Sequence, residues 1–173
     1  MDEEKSDKKV HYVPFIGPIK AYVGRSPWDF YSWGHIDMGI ASWLLLSLII
    51  TIFQNYAGPN TAILPWWSLM VFVLSFGVLW EILENTIFFY WGWRPGGIDS
   101  VQNSVWDIIF VVLGGAFMWL LKYIIMDLLG IRGTIFYLVG IGFFLLVLIA
   151  YFIGYFLTNE HTKQARKERK SIS

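Results

Sequence analysis

Four stretches of the chain are apolar for about the ~20 residues that a helix needs to cross a bilayer. They run over roughly 36–53, 66–91, 105–125 and 134–157. The intervals between them carry turn chemistry. Gly58-Pro59-Asn60 and Pro65 separate the first two, Arg94-Pro95-Gly96-Gly97 the next two, and Gly130 with Gly133 the last two. Trp66 and Trp67 sit at one end of the second stretch, and Tyr90, Trp91 and Trp93 at the other. Such amphipathic rings favour the headgroup level and support these boundaries. The pattern predicts an all-α membrane protein, a bundle of four transmembrane helices. Upstream, Ser26-Pro27-Trp28-Asp29 reads as a helix start, with serine as cap, proline at the first position and an acid three residues on. A short interfacial helix over Pro27–Trp33 is expected before the first span, either continuous with it or joined to it at Gly34 as a hinge.

Composition agrees. Hydrophobic residues make up 56% of the 173, aromatics 19% and charged residues 15%, where soluble domains run near a quarter charged. Without cysteine there is no disulfide, thiolate metal site or cysteine nucleophile. The acid-rich start and the late first apolar run do not match a cleaved signal peptide. Three regions are expected: an N-terminal segment (1–25), a membrane domain (26–158) and a basic tail (159–173).

Net charge is zero, which predicts no nucleic-acid partner, but its distribution orients the chain. Lys5, Lys8, Lys9, Lys20, Arg25, Arg94 and five basic residues of the tail fall on one side of the spans, eleven in all, against Lys122 and Arg132 on the other. The positive-inside rule then places both termini in the cytoplasm, with the plasma membrane as the expected location. The basic tail is also suited to anionic lipid. A homo-oligomer or another membrane protein remains open as a partner.

Ionisable groups inside a membrane cost about 2.5–3.5 kcal/mol each on insertion scales and usually mark function. The second span carries Glu81, Glu84 and Asn85 on one helical face. Four-residue spacing puts Asp99, Asn103 and Asp107 on one stripe of the third, if the helix already includes Asp99. Gly114 continues that stripe as a point of close helix approach. The first span opens with His35. Asp37 points nearly opposite, toward a capping or headgroup role. With the topology above, His35, Glu81, Glu84, Asn85, Asp99, Asn103 and Asp107 all fall in the cytoplasmic half, or near mid-depth for Glu81. The fourth span has no charge and reads as a lipid-facing or packing helix, with Ala150 and Gly154 as a small-residue contact. Oxygen ligands with one imidazole suit a divalent cation such as magnesium, manganese, iron or zinc.

The runs Trp80-Glu81-Ile82-Leu83-Glu84-Asn85-Thr86 and Asp99-Ser100-Val101-Gln102-Asn103-Ser104-Val105-Trp106-Asp107 resemble an uncharacterised family of small bacterial inner-membrane proteins. That family carries W-E-x-L-E-N-S and G-D-S-x-x-N-S-x-x-D motifs and a histidine-bearing first helix, which Trp28–Gly39 matches here. A looser likeness is to VanZ-like membrane proteins. Ile98 stands where the family has glycine, and one family histidine falls on Met38 or Gly39. The resemblance implies a fold and no activity.

Three functions fit these residues. One is a metal-dependent enzyme acting on a lipid or isoprenoid substrate. There Glu81, Glu84, Asp99 and Asp107 hold the cation, with His35 as ligand or base and His35, Glu84 and Asp107 as the catalytic set. Asn85 and Asn103 orient the carboxylates, and Arg94 meets an anionic headgroup. The others are an ion or proton transporter or channel, and a non-catalytic scaffold or complex subunit whose polar residues tie helices together.

Overall fold

The computed structural model describes residues 28–58, 64–93 and 98–172, with the side chains of 57 and 165–172 excepted. Arg94, Ser26, Pro27 and the expected N-terminal segment lie outside these residues. The described residues are mainly helical. Helix α1 spans Phe30–Ala57, and α2 spans Ser68–Leu83 and continues as a π-helical turn over Glu84–Phe88. Helix α3 spans Val101–Lys122, with a second π-helical turn over Tyr123–Leu128, and α4 spans Gly133–Ile172. All four are long and apolar enough to cross a membrane. At about 1.5 Å per residue, the 28 residues of α1 reach from one headgroup layer to the other.

Helix α1 starts at Phe30, capped by Asp29. The Tyr31 N–H donates to Asp29 Oδ1 (2.8 Å) and the Asp29 N–H to Ser32 Oγ (3.2 Å). This capping box satisfies two of the donors that a helix start leaves open. Gly34 lies within unbroken helix, packed toward the Tyr151 ring of α4, so from Phe30 onward the expected interfacial segment is continuous with the first span. Helix α3 begins at Val101, where Ser100 Oγ accepts from the Asn103 N–H (3.1 Å). Asp99 therefore precedes the helix, and the stripe expected to include it starts at Asn103.

Helix α1 is the centre of the bundle, and small residues bring its neighbours to backbone contact. A Cβ on Gly39 would lie 2.0 Å from the Val111 carbonyl oxygen of α3, and one on Gly114 would lie 2.2 Å from the Ile36 carbonyl oxygen of α1. The expected approach at Gly114 is thus present. On the other face of α3, Gly115 meets Val73 of α2. Below this lies an apolar layer of Ile40, Trp43, Leu69, Val73, Val111, Met118 and Phe136. In it, fully buried Trp43 stacks on Trp66 (centroids 5.9 Å apart) and meets Phe136 edge-on (5.7 Å). Helix α4 packs on α1 through Tyr151 and through Gly140, which Leu44 approaches. Gly154 is buried and Ala150 partly so, while Leu138, Leu146, Ile149, Ile153 and Phe156 stay exposed. Apolar exposure on this scale is far beyond what water tolerates and is consistent with a lipid bilayer environment.

Candidate functional site

The polar residues from three helices converge at the end of the bundle where α1 and α3 begin. His35 lies five residues into α1, Asp107 six into α3, and Glu81 seven before Phe88, where the helical run of α2 ends. At the helical rise each sits about 8–10 Å below its helix end. All three are buried, with 4% (His35), 1% (Asp107) and 5% (Glu81) of their surface accessible.

The histidine is oriented by its own helix. His35 Nδ1 is 2.8 Å from the Tyr31 carbonyl oxygen one turn earlier. A carbonyl only accepts, so Nδ1 carries the proton. In the neutral ring Nε2 then holds a lone pair. That lone pair faces Glu81 Oε1 at 3.2 Å and Glu84 Oε2 at 3.9 Å, while Asp107 Oδ1 stands 3.4 Å from the Nδ1 side. Although close, His35 Nε2 and Glu81 Oε1 lack hydrogen-bond geometry, and neither they nor Asp107 Oδ1 makes any hydrogen bond. Buried polar atoms are rarely left this way. Three such atoms in one pocket are disposed to take a cation or a proton.

The π-helical turn begins at Glu84, and such widened turns recur at functional sites because they re-aim side chains. Here it carries Asn85, which clamps the segment before α3. The Asp99 N–H donates to Asn85 Oδ1 (2.8 Å), and Asn85 Nδ2 donates to the Glu81 carbonyl (3.0 Å). Longer contacts run from Nδ2 to Glu81 Oε2 (3.3 Å), Asp99 Oδ2 (3.4 Å) and Ser104 Oγ (3.4 Å). Two amide hydrogens cannot serve four acceptors well, so the two short bonds set the position and the long ones share what remains. Asp99, outside the helix, thereby reaches the site through Asn85. At the start of α1, Trp28 packs edge-on against Trp106 of α3 (5.6 Å, 88°).

Two groups of potential ligands result, His35–Glu81–Glu84 and Glu81–Asp99–Asp107, the atoms within each lying no more than 4.8 Å apart. The structure so brings together His35, Glu81, Glu84, Asp99 and Asp107, with Asn85 bonded to two of them. Asn103 is buried one turn before Asp107. Asp37 does not cap or face outward. It lies inside α1 with 6% of its surface accessible, and its Oδ1 makes no hydrogen bond. Sequence reasoning missed Ser104, although it stands within the second motif, and the Tyr31 carbonyl, which no side-chain pattern reveals.

At the opposite end of the bundle, Lys122 pairs with Asp127 (2.8 Å) and lies 4.6 Å from the Trp66 ring centre. The apolar layer separates this pair from the polar pocket. No family model matches the chain, and no similar curated protein or solved structure was found.

Proposed function

We propose that this membrane protein binds a divalent cation in the His35–Glu81–Glu84–Asp99–Asp107 pocket at the cytoplasmic end of its bundle, and uses it in chemistry on a lipid or isoprenoid substrate. The observation that carries this reading is the fixed tautomer of His35. Its Nδ1 is committed to the Tyr31 carbonyl and its Nε2 points at two carboxylates. Histidine ligands are commonly held this way, one nitrogen tied back and the other presented to the metal. The 3.2 Å between His35 Nε2 and Glu81 Oε1 also matches the spacing of neighbouring ligands on one cation, roughly 3.0–3.3 Å for bonds near 2.1 Å.

Depth supports the lipid substrate. A site about 8–10 Å below the helix ends lies near the boundary of headgroups and acyl chains, where a lipid ester or phosphate resides. The eleven-to-two distribution of basic residues supports the cytoplasmic side. The resemblance to small bacterial inner-membrane proteins supports the same placement, since its two motifs supply four of the five proposed ligands. Transport through a single chain is disfavoured by the apolar layer between the pocket and Lys122.

Metal analysis of purified protein tests the reading, with Glu81→Ala and Asp107→Ala beside the wild type. Stoichiometric metal in the wild type, absent from both variants, supports it. Metal-free wild type whose melting temperature ignores added cations overturns it in favour of a polar knot or scaffold. The enzymatic half is tested by mass spectrometry of lipids in proteoliposomes. A product that forms with metal and is abolished by chelator supports it, and unchanged lipids around metal-loaded protein refute it.

A further inference from the structure

We infer that the pocket is built for two divalent cations bridged by the carboxylate of Glu81. The inference rests on the cation-binding reading above and specifies it. A single cation requires every donor within about twice a metal–oxygen bond of every other, roughly 4.2–5 Å for magnesium to calcium. At a mutual spacing of 4.8 Å the five candidate ligands do not form one such set. They divide into His35–Glu81–Glu84 and Glu81–Asp99–Asp107, each within 4.8 Å, with Glu81 common to both.

The two oxygens of Glu81 serve different neighbours. Oε1 faces His35 Nε2 at 3.2 Å. Oε2 is 3.3 Å from Asn85 Nδ2, whose amide also reaches Asp99 Oδ2 at 3.4 Å. A carboxylate with one oxygen turned toward each ligand group is disposed to bridge, and paired catalytic cations stand about 3.5–4 Å apart.

Each group also has its own unsatisfied buried atom. His35 Nε2 and Glu81 Oε1 belong to the first, and Asp107 Oδ1, on a residue with 1% of its surface accessible, belongs to the second. Asp107 Oδ1 lies on the Nδ1 side of the imidazole (3.4 Å), away from the Nε2 lone pair that would hold the first cation. One cation on Nε2 therefore leaves Asp107 Oδ1 with only the Nδ1 side of the ring, whose proton is committed to Tyr31, and a second cation would satisfy it. A two-cation centre at headgroup depth is suited to displacement at a phosphoryl or acyl centre, where one cation holds the attacking oxygen and the other the leaving oxygen.

Manganese supplies both a count and a distance. Full-length protein in detergent is equilibrated with Mn²⁺, freed of excess, and examined by elemental analysis and electron paramagnetic resonance. The expected result is two manganese per chain with an exchange-broadened, coupled spectrum. Asp99→Asn should retain one manganese with the resolved hyperfine sextet of an isolated ion, and Glu81→Gln should abolish the coupling. Size-exclusion and thermal profiles like those of the wild type show that each variant is folded. If Asp99→Asn misfolds, the wild-type count and coupling still decide. One uncoupled manganese per wild-type chain overturns the two-cation centre and leaves the single-cation reading standing. No bound manganese, with magnesium, zinc and iron also absent, overturns both.

Discussion

Close contact between α1 and α3 holds His35 against Asp107, so a single methyl group at that contact should disturb stability and site together. In Gly114→Ala the new Cβ falls 2.2 Å from the Ile36 carbonyl oxygen. Carbon–oxygen contacts between helices settle near 3.3 Å, so the helices must separate by about 1 Å. The obstacle is backbone within a helix and cannot rotate away. Overpacking of this kind costs about 1–3 kcal/mol, and the melting temperature of a chain this long falls by about 2–4 °C per kcal/mol. The drop expected in detergent is therefore roughly 2–12 °C. The His35–Asp107 separation, 3.4 Å in the native protein, would open by a similar ångström, so cation affinity should fall as well. Gly142→Ala is the control, because nothing lies within 4 Å of the place its methyl group would take, and alanine in a helix interior gains up to about 1 kcal/mol over glycine. Thermal melts and cation titration of the three proteins make the comparison. A Gly114→Ala protein with native melting temperature and native affinity would refute the idea that this contact sets the site.

Other perturbations separate the parts of the molecule. Asn85→Ala removes the acceptor for the part-buried Asp99 N–H, which should cost about 1–3 kcal/mol and weaken cation binding about 10–100-fold; affinity equal to wild type would show that the clamp does not position the ligands. Asp127→Asn leaves the buried Lys122 ammonium without its counter-charge. Because Asp127 is nearly half exposed, the loss is discounted to about 1 kcal/mol, and cation content should be unchanged, since the pair stands at the far end of the bundle. A loss of metal in that variant would contradict the separation of the two ends. Because the chain has no cysteine, Ser6→Cys and Ser171→Cys give clean reporters of orientation. A membrane-impermeant maleimide should label both only when the cytoplasmic face is exposed, and labelling from outside would reverse the proposed topology.

How far the sequence carries the site differs from residue to residue. Glu81, Glu84 and Asn85 share a helical face by spacing alone, and the structure keeps them together, though a π-helical turn begins at Glu84. Asp107 and Gly114 stand on α3 as their spacing requires. Asp99 shows where periodicity stops: Ser100 caps the helix after it, and a hydrogen bond from across the bundle brings it in. Helical phase places Asp37 on the face away from His35, but phase does not reveal that this face is covered; only packing buries it.

Hydrophobic run length determined that four helices are long and apolar enough to cross a membrane, because a bilayer demands about twenty apolar residues from each span whatever its neighbours do. The clustering of acids and amides near three helix ends was equally readable, since helical rise and turn order place them at one level. Tertiary structure alone decided which atoms face one another. The tautomer of His35 depends on a carbonyl one turn away, the two ligand groups depend on how the oxygens of Glu81 are turned, and both depend on an α1–α3 approach permitted by glycines that carry no chemistry themselves. Spacing along a chain limits each helix separately, whereas side chains come within bonding distance of one another only when helices have been packed together.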